Sequence, residues 1–521
     1  MTAVRTGSRE RVVAALFALL ASVVVPVFPH FVSPNETTRW ALAAAVVDQR
    51  TLEVTGPARL LGPRMEDVSE VDGRLFSNKA PGTTLVALPG YAAARPFAGP
   101  PSPASLRAGL TAMRLAAATL PVLLLAFLFA RLAPADGRAE ALFALLFATP
   151  LLAYSLLLFA HAPVAACLFG AWAALFSEAG GRERARRDLA AGALLGLAVL
   201  SEYPAVVPAA LLVALAGWRA PGRLLRIVLG GLPMAALLGA YNAACFGSPF
   251  RLSSGLEKDA AFRELARQGL FGIGVPKPAI LGRLLADPSK GLLVLSPLLA
   301  LVPAGLAAAR RKLPAASFAA LLLVPPAILL TYGGYPNWHG GFTVGARYLV
   351  AALPFLLLPL AYLRWGPLAA FLAGASTAAV ALTTLVFPFV PPGFPLPWGS
   401  FAAPLLAKGL VAPNLLHLLF RPLAIAVPFL LVVAAAGAAL GRRRALPFLA
   451  GALAWTAAGL LLPRFAPLAP PLAVQRGYVE EVYFGRPGAL ERSMPPGVAV
   501  PDRLRARMEM EKGLPPSPWP F

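Results

Sequence analysis

Cysteine and negative charge are what this chain of 521 residues has least of. Its two cysteines, Cys167 and Cys245, lie in or beside apolar runs, so neither a disulfide framework nor a thiolate metal site is indicated. Asp and Glu together number 24 against 46 Lys and Arg, and charged residues make up only 13% of the chain. Soluble domains are roughly a quarter charged, so this scarcity excludes an ordinary soluble domain. No nucleotide-binding loop and no internal repeat is visible. What is abundant is apolar: 58% of the residues are hydrophobic and the mean hydropathy is +0.70. The chain reads as an all-α polytopic membrane protein.

The net charge of +22 invites a nucleic-acid partner, and its distribution argues against one. Arginines cluster in short loops between apolar runs: Arg5, Arg9, Arg11; Arg131, Arg138; Arg182, Arg184, Arg186, Arg187; Arg219, Arg223, Arg226. The series continues with Arg310, Arg311, Lys312; Arg364; and Arg442, Arg443, Arg444. Such clusters hold loops on the cytoplasmic side, so the basic balance is a topology signal. Apolar runs fall near 12–33, 109–131, 140–157, 162–177, 189–201, 204–218, 227–246, 291–309, 314–332, 345–363, 367–389, 421–441 and 445–463. They predict about thirteen transmembrane helices, several short for a ~20-residue crossing.

With the N-terminus cytoplasmic, every second loop carries an Arg cluster and the C-terminal tail ends outside. The long segments 34–108, 247–290, 333–344, 390–420 and 464–521 then all lie on the extracytoplasmic side of the inner (cytoplasmic) membrane. The material for function is expected there. Residues 1–465 read as one multi-span domain with its first extracytoplasmic loop at 34–108, and 466–521 as a short Pro-rich extracytoplasmic tail. The first run is too long for the apolar part of a signal peptide and lacks a small-residue cleavage site before Pro34, so it reads as a retained span.

Three constellations at that face carry chemistry. Ser33-Pro34-Asn35-Glu36 reads as a helix start, with Ser33 at the N-cap, Pro34 in the first helical position and Glu36 closing a capping box. The helix that follows is expected along the interface, with Trp40, Ala44 and Val47 on one face and Glu36 and Arg39 on another. Lys79 precedes Pro81 and an apolar helix over Thr83–Ala94, which places a cation at a positive helix end. A helix N-terminus plus a lysine makes a phosphate site, where the bland alternative is a lysine snorkelling to lipid headgroups. Arg347 opens another span after Tyr335-Pro336-Asn337-Trp338-His339-Gly340-Gly341 and is the anion reader of that segment. His339 is weaker, since a lone loop histidine is more often a hydrogen-bonded bystander.

Softer candidates follow. Glu202-Tyr203 lies at the outer end of a helical hairpin, and an acid so close to lipid must face protein or a water-filled cavity. His161 occupies the equivalent turn of the preceding hairpin, and Lys290 brings a further cation to the start of a span. The acidic run Glu66, Asp67, Glu70 and Asp72 could hold a divalent cation or form a solvated loop face. Cations at helix ends beside carboxylates suit a reaction that departs from a phosphate and needs a general base for an acceptor hydroxyl or amine.

Pro34-Asn35-Glu36 with Arg39 and Trp40, and Asn78-Lys79-Ala80-Pro81 beyond it, resemble the motifs of the GT-C superfamily of integral-membrane glycosyltransferases. That group includes protein O-mannosyltransferases and the aminoarabinose transferases of lipid A. Its members typically show Pro-Asp-Glu and then Arg-Tyr-Ala-Glu or similar after the first span, with a Glu-Lys-Pro-Pro-like motif a few dozen residues later. Gly192–Tyr203 is similar to the family's Gly-Leu-(Ala)-X-Leu-(Thr)-Lys stretch, with Glu202 near the usual lysine, and Arg347-Tyr348 opens a span reaching Leu353-Pro354. The resemblance covers residues 12–365 in order and spacing.

It implies an inverting transfer of a sugar from a polyprenyl-phosphate donor to an extracytoplasmic glycolipid, glycan or protein acceptor. Glu36 is then the candidate base, and Lys79, Arg347 and Arg39 bind the departing lipid phosphate. Asn35 stands where the family commonly has the catalytic aspartate, and an amide cannot act as a base. Either Glu36 has taken over that role, the acceptor is activated differently, or the chain is a catalytically inactive relative. A transporter or flippase for lipid-linked or glycan substrates is the rival from another class. Transporters place polar residues at the bilayer midplane, often in repeated halves. Here the polar residues gather at the outer ends of spans, which favours an enzyme.

Overall fold

The computed structural model describes residues 7–25, 32–61, 65–99, 106–218, 220–269, 272–466 and 468–512. Arg5, Arg219, the end of the first apolar run at 26–31 and the tail residues 513–521 lie outside the described residues. Every one of the apolar runs read from the sequence contains helix among its described residues. Lipid offers no hydrogen bonds, so a chain this apolar must close its own backbone bonds, and the helix does so within one segment. Among the described residues, six helices are long and apolar enough to cross a membrane: Arg107–Leu132, Gly222–Phe246, Ala315–Gly333, Pro367–Val386, Arg421–Leu440 and Arg442–Leu462. Five shorter apolar helices accompany them: His161–Phe176, Tyr203–Gly217, Pro297–Ala309, Arg347–Tyr362 and Trp398–Ala407.

Prolines segment the broken spans. The run over 345–363 divides into Arg347–Ala352, Leu353–Leu357 and Leu358–Tyr362, with Pro354 and Pro359 in the first turns of the second and third pieces. A proline lacks the N–H that the preceding turn would need, so the helix tightens or restarts there.

The arginine-rich ends come together. Arg9 and Arg444 both reach Glu140, at 3.4 and 2.5 Å, and Arg138 lies 3.8 Å from Glu10. Asp188, fully buried, takes Arg223 at 2.8 Å and Arg226 at 3.0 Å. The opposite sign of element, the long loops, gathers around two cavities described below.

Two features of the first loop differ from the expectation. The helix Pro34–Asp48 does not lie on an interface: every residue from Glu36 to Ala45 is buried, with Trp40 edge-on to Tyr91 at 6.5 Å. It starts where expected, with Ser33 as N-cap and Pro34 first, but Ser33 makes no side-chain capping bond. Glu36 spends its carboxylate elsewhere. The loop is also not purely helical, because Val68–Val71 pairs antiparallel with Arg74–Ser77 in the register Val68↔Ser77 and Val71↔Arg74. Asp72 and Gly73 turn this hairpin at φ +50° and +75°, the two-residue turn whose twist matches the strands. The Val-Asp-Gly-Arg signal for it was present in the sequence.

The hairpin delivers Asn78 and Lys79 directly into the helix Gly82–Ala98. Gly82 sets how near this helix comes to Gly181–Ser201: a β-carbon there would lie 2.6 Å from Ser201 Oγ and 2.7 Å from the Leu200 backbone. Only glycine permits that approach, and it brings the Lys79 turn against the Glu202 turn.

Candidate active site

Two cavities open where the long loops converge. The first holds about 1190 Å³, counting its mouth, and is lined by Arg39, Lys79 and Arg347 together with His161, Glu202 and Tyr332. The second holds about 1870 Å³ and is lined by Glu66, Asp67, Glu257 and His339, with Tyr478 and Arg507 from the C-terminal tail. Asn35, Lys79, Tyr335 and Arg347 line both. The three cations read from the sequence as phosphate ligands, from segments far apart in the chain, therefore share one cavity.

Each cation has a distinct setting. Lys79 Nζ lies 3.1 Å from Asp67 and stands just before the N-terminal turn of Gly82–Ala98. Arg39 is buried, and its Nη1 donates to the backbone and side-chain oxygens of Asn35. Asn35 is thus an anchor for a guanidinium. Burial pulls Arg39 down to about 10, with Glu202 and Asp67 opposing that fall. Arg347 sits over the rings of Phe159 at 5.6 Å and Tyr348 at 4.8 Å, and its Nη2 donates to Tyr348 Oη at 2.9 Å. The Nε groups of both Arg39 and Arg347 are buried and have no hydrogen-bond partner. Buried N–H groups are normally satisfied, so two such donors at one cavity mark a place for acceptor atoms. Gly340, at φ +69°, makes room for this arrangement, since a β-carbon there would fall 2.7 Å from Arg347 Nε.

Glu202 occupies the turn between Gly181–Ser201 and the next helix. His161 Nδ1 lies 2.9 Å from Oε2, and Tyr332 Oη donates to Oε1 at 2.6 Å. Burial alone would raise this carboxyl, but His161 and Tyr332 outweigh it and hold the group at about 2. Tyr332 and Tyr348 stack at 4.6 Å beside it. Tyr203 lines the same cavity.

Three sequence candidates are placed differently. Glu36 is fully buried and lines neither cavity: Arg114 donates through Nε to Oε1 at 2.8 Å and through Nη2 to Oε2 at 2.5 Å. The Leu158 N–H adds a third bond to Oε1 at 2.8 Å. Lys290 is equally buried, and its ammonium donates to the carbonyls of Gly341, Thr343 and Val390, which uses all three protons to hold loops together. His339 does line the second cavity, but its Nδ1 accepts the Gly341 N–H at 3.0 Å, and burial pulls its pKa down.

Other site residues went unread. Asn78 Nδ2 donates to Glu257 Oε2 at 2.7 Å and lies 3.5 Å from Asp67 Oδ1. Burial pushes Glu257 up to about 7, against the pull of Lys79 and Asn78. No local pattern in Ser253–Asp259 announces this acid. Its place depends on a backbone bridge between Ser69 and Glu257, and on Lys258 N–H donating to Val68 O at 2.9 Å. Among the described residues, no group of three or more His, Cys, Asp or Glu is arranged to hold a metal ion.

No protein-family model matches this chain, and no curated protein does either. Among solved structures it is similar to ArnT from Cupriavidus metallidurans bound to undecaprenyl phosphate, at 16% identity and a TM-score of 0.50. That match covers 90% of this chain and 79% of the other. A second match is the archaeal oligosaccharyltransferase AglB from Archaeoglobus fulgidus, in complex with an inhibitory peptide and a dolichol-phosphate. It has 15% identity and a TM-score of 0.40, covering 98% of this chain and 60% of that one. The helical architecture, six apolar spans with shorter apolar helices among them, shares its fold with that ArnT structure.

Proposed function

We propose that this protein is a membrane glycosyltransferase that moves a sugar from a polyprenyl-phosphate donor to a glycolipid, glycan or protein acceptor on the extracytoplasmic side. One observation carries the reading: Arg39, Lys79 and Arg347 line a single cavity, and two of them keep a buried N–H without a partner. A phosphate supplies the acceptor oxygens such donors lack, and a guanidinium is suited to bind them. Val206 and Val207 line the same cavity and are 49% and 43% exposed, which gives a polyprenyl chain an apolar approach.

In this reading the phosphate rests on Lys79, Arg347 and Arg39 in the first cavity. As the bond from sugar carbon to phosphate oxygen breaks, charge grows on that oxygen, and fixed cations stabilise it. Asn35 aims Arg39, and the Tyr348 and Phe159 rings aim Arg347. Glu202, kept ionised, balances the positive field. The acceptor enters from the second cavity, whose wall carries charges of both signs. In this reading the N-terminus is cytoplasmic and the cavities open on the outer face of the inner membrane, an orientation that the Arg clusters support.

The test is a profile of lipid-linked sugars and surface glycans in cells with and without the gene, and with Lys79→Ala. Accumulated polyprenyl-phosphate sugar with a missing glycan residue, in both deletion and variant, is expected. An unchanged profile overturns the transferase reading in favour of transport.

A further inference from the structure

We infer that Glu257 is the general base that takes the proton from the acceptor's attacking group. This rests on the transferase reading above and adds the residue that reading lacks. The reaction needs a carboxylate or imidazole that faces the acceptor, sits beside the phosphate-binding cations and is not already consumed by a structural bond. Glu36 is locked in a fork with Arg114 away from both cavities. Glu202 faces the donor cavity, with one oxygen on His161 and the other on Tyr332. Asp67 is paired with Lys79 at 3.1 Å. His339 Nδ1 is occupied by Gly341.

Glu257 alone among these meets all three conditions. It lines the second cavity together with Lys79 and Arg347, the two cations that also line the first. Of the bonds to its carboxylate, the one from Asn78 Nδ2 to Oε2 at 2.7 Å fixes one oxygen. The backbone is fixed as well: Glu257 bridges to Ser69, Ser69 Oγ donates to Ser253 O at 2.9 Å, and Ser253 Oγ donates to Asn78 O at 2.8 Å. The acid and the Lys79 turn are therefore parts of one stitched unit, although 179 residues separate Glu257 from Asn78.

The charged groups around it tune it as a base. Lys79 favours its ionised form, while Asp67 and Asp259 oppose ionisation, and Arg263 Nη1 is occupied by the Glu257 backbone oxygen at 2.9 Å. Glu66 and Arg507 lie on the same cavity wall. Burial, the largest influence, lifts the carboxyl to about 7. Glu202, in the first cavity, is held at about 2. Two carboxylates driven apart in this way divide the labour, one a fixed charge and one a proton acceptor. In the step itself the acceptor O–H or N–H gives its proton to Glu257 and its electron pair forms the new bond to the sugar carbon. The bond from that carbon to the phosphate oxygen breaks, and polyprenyl phosphate leaves with its electrons, held by Lys79 and Arg347.

The test uses the full-length protein in detergent added to membranes of the deletion strain, which hold both donor and acceptor, with release of polyprenyl phosphate followed from pH 5 to 9. Binding of undecaprenyl phosphate is measured in parallel as evidence of an intact donor site. The wild-type rate should rise with pH and level off above about 7. Glu257→Gln should lose at least about 100-fold at every pH while binding undecaprenyl phosphate within twofold of wild type. Glu257→Asp should keep a measurable rate with a displaced pH midpoint. Glu257→Gln with the wild-type rate and pH profile overturns the assignment, as does Glu257→Gln that loses undecaprenyl phosphate binding as well. Wild-type protein that binds undecaprenyl phosphate but releases none from those membranes overturns the transferase reading itself.

Discussion

Glu36 and Arg114 form a buried ion pair whose removal should unfold the first loop before it touches chemistry. Both side chains are almost wholly inaccessible, at 0% and 4% exposure. The carboxylate receives two guanidinium bonds and the Leu158 N–H. Removing one partner strands an uncompensated charge, which costs about 3–5 kcal/mol in such settings. Replacing both with apolar side chains of similar volume removes the desolvation penalty along with the attraction, and is often neutral or better. Glu36→Met and Arg114→Met should therefore each lower the thermal midpoint in detergent, read as the fraction surviving size-exclusion chromatography after heating. The double variant should recover most of that loss. Glu36→Gln protein that is purified below its lowered midpoint should retain polyprenyl phosphate release per folded molecule. Glu36→Gln with a wild-type midpoint and abolished release would refute this reasoning and return Glu36 to the chemistry.

Other expectations follow from the same contacts. Gly340→Ala places a β-carbon 2.7 Å from Arg347 Nε at a left-handed φ, so it should cost about 1–2 kcal/mol and weaken undecaprenyl phosphate binding, measured by titration. Gly82→Val drives the Lys79 turn away from Ser201 and should cost about 1–3 kcal/mol, with lower surviving fraction after heating. Lys290→Met strands three carbonyl oxygens and should destabilise by on the order of 3 kcal/mol, leaving undecaprenyl phosphate affinity unchanged. Glu257 titrates near 7 when folded and near its ordinary value, about 4.3, when unfolded, so the folded protein binds the extra proton between those values. Stability should fall as pH rises through that window, and Glu257→Gln should flatten the slope of midpoint against pH.

What could be read from the chain divides along physical lines. Helical runs were legible because lipid forces each apolar segment to satisfy its own backbone, and composition alone reports that. Lys79 and Arg347 stood out because a cation at an outer helix start has few structural uses, and Arg39 entered only through the motif resemblance. Glu36 looked identical whether it faced a cavity or Arg114, because that arginine lies 78 residues away inside an apolar run. The helix after Pro34 carried Glu36 and Arg39 on one face and Trp40 on another and so looked interfacial, yet the fold buries all three. Glu257 was invisible for the opposite reason: its loop is ordinary, and its position is created by bonds to Ser69 and Asn78. The hairpin at Asp72-Gly73 was written in the local sequence and hidden only by the weight of helix around it.

The most direct measurement is the binding of undecaprenyl phosphate against undecaprenol to the purified protein, with Arg347→Ala and Lys79→Ala alongside. The site built from Arg39, Lys79 and Arg347 predicts tight binding of the phosphate, weak binding of the alcohol, and a loss of the difference in both variants. Equal affinity for the two lipids, or variants that bind the phosphate as wild type does, would contradict a lipid-phosphate site in this cavity.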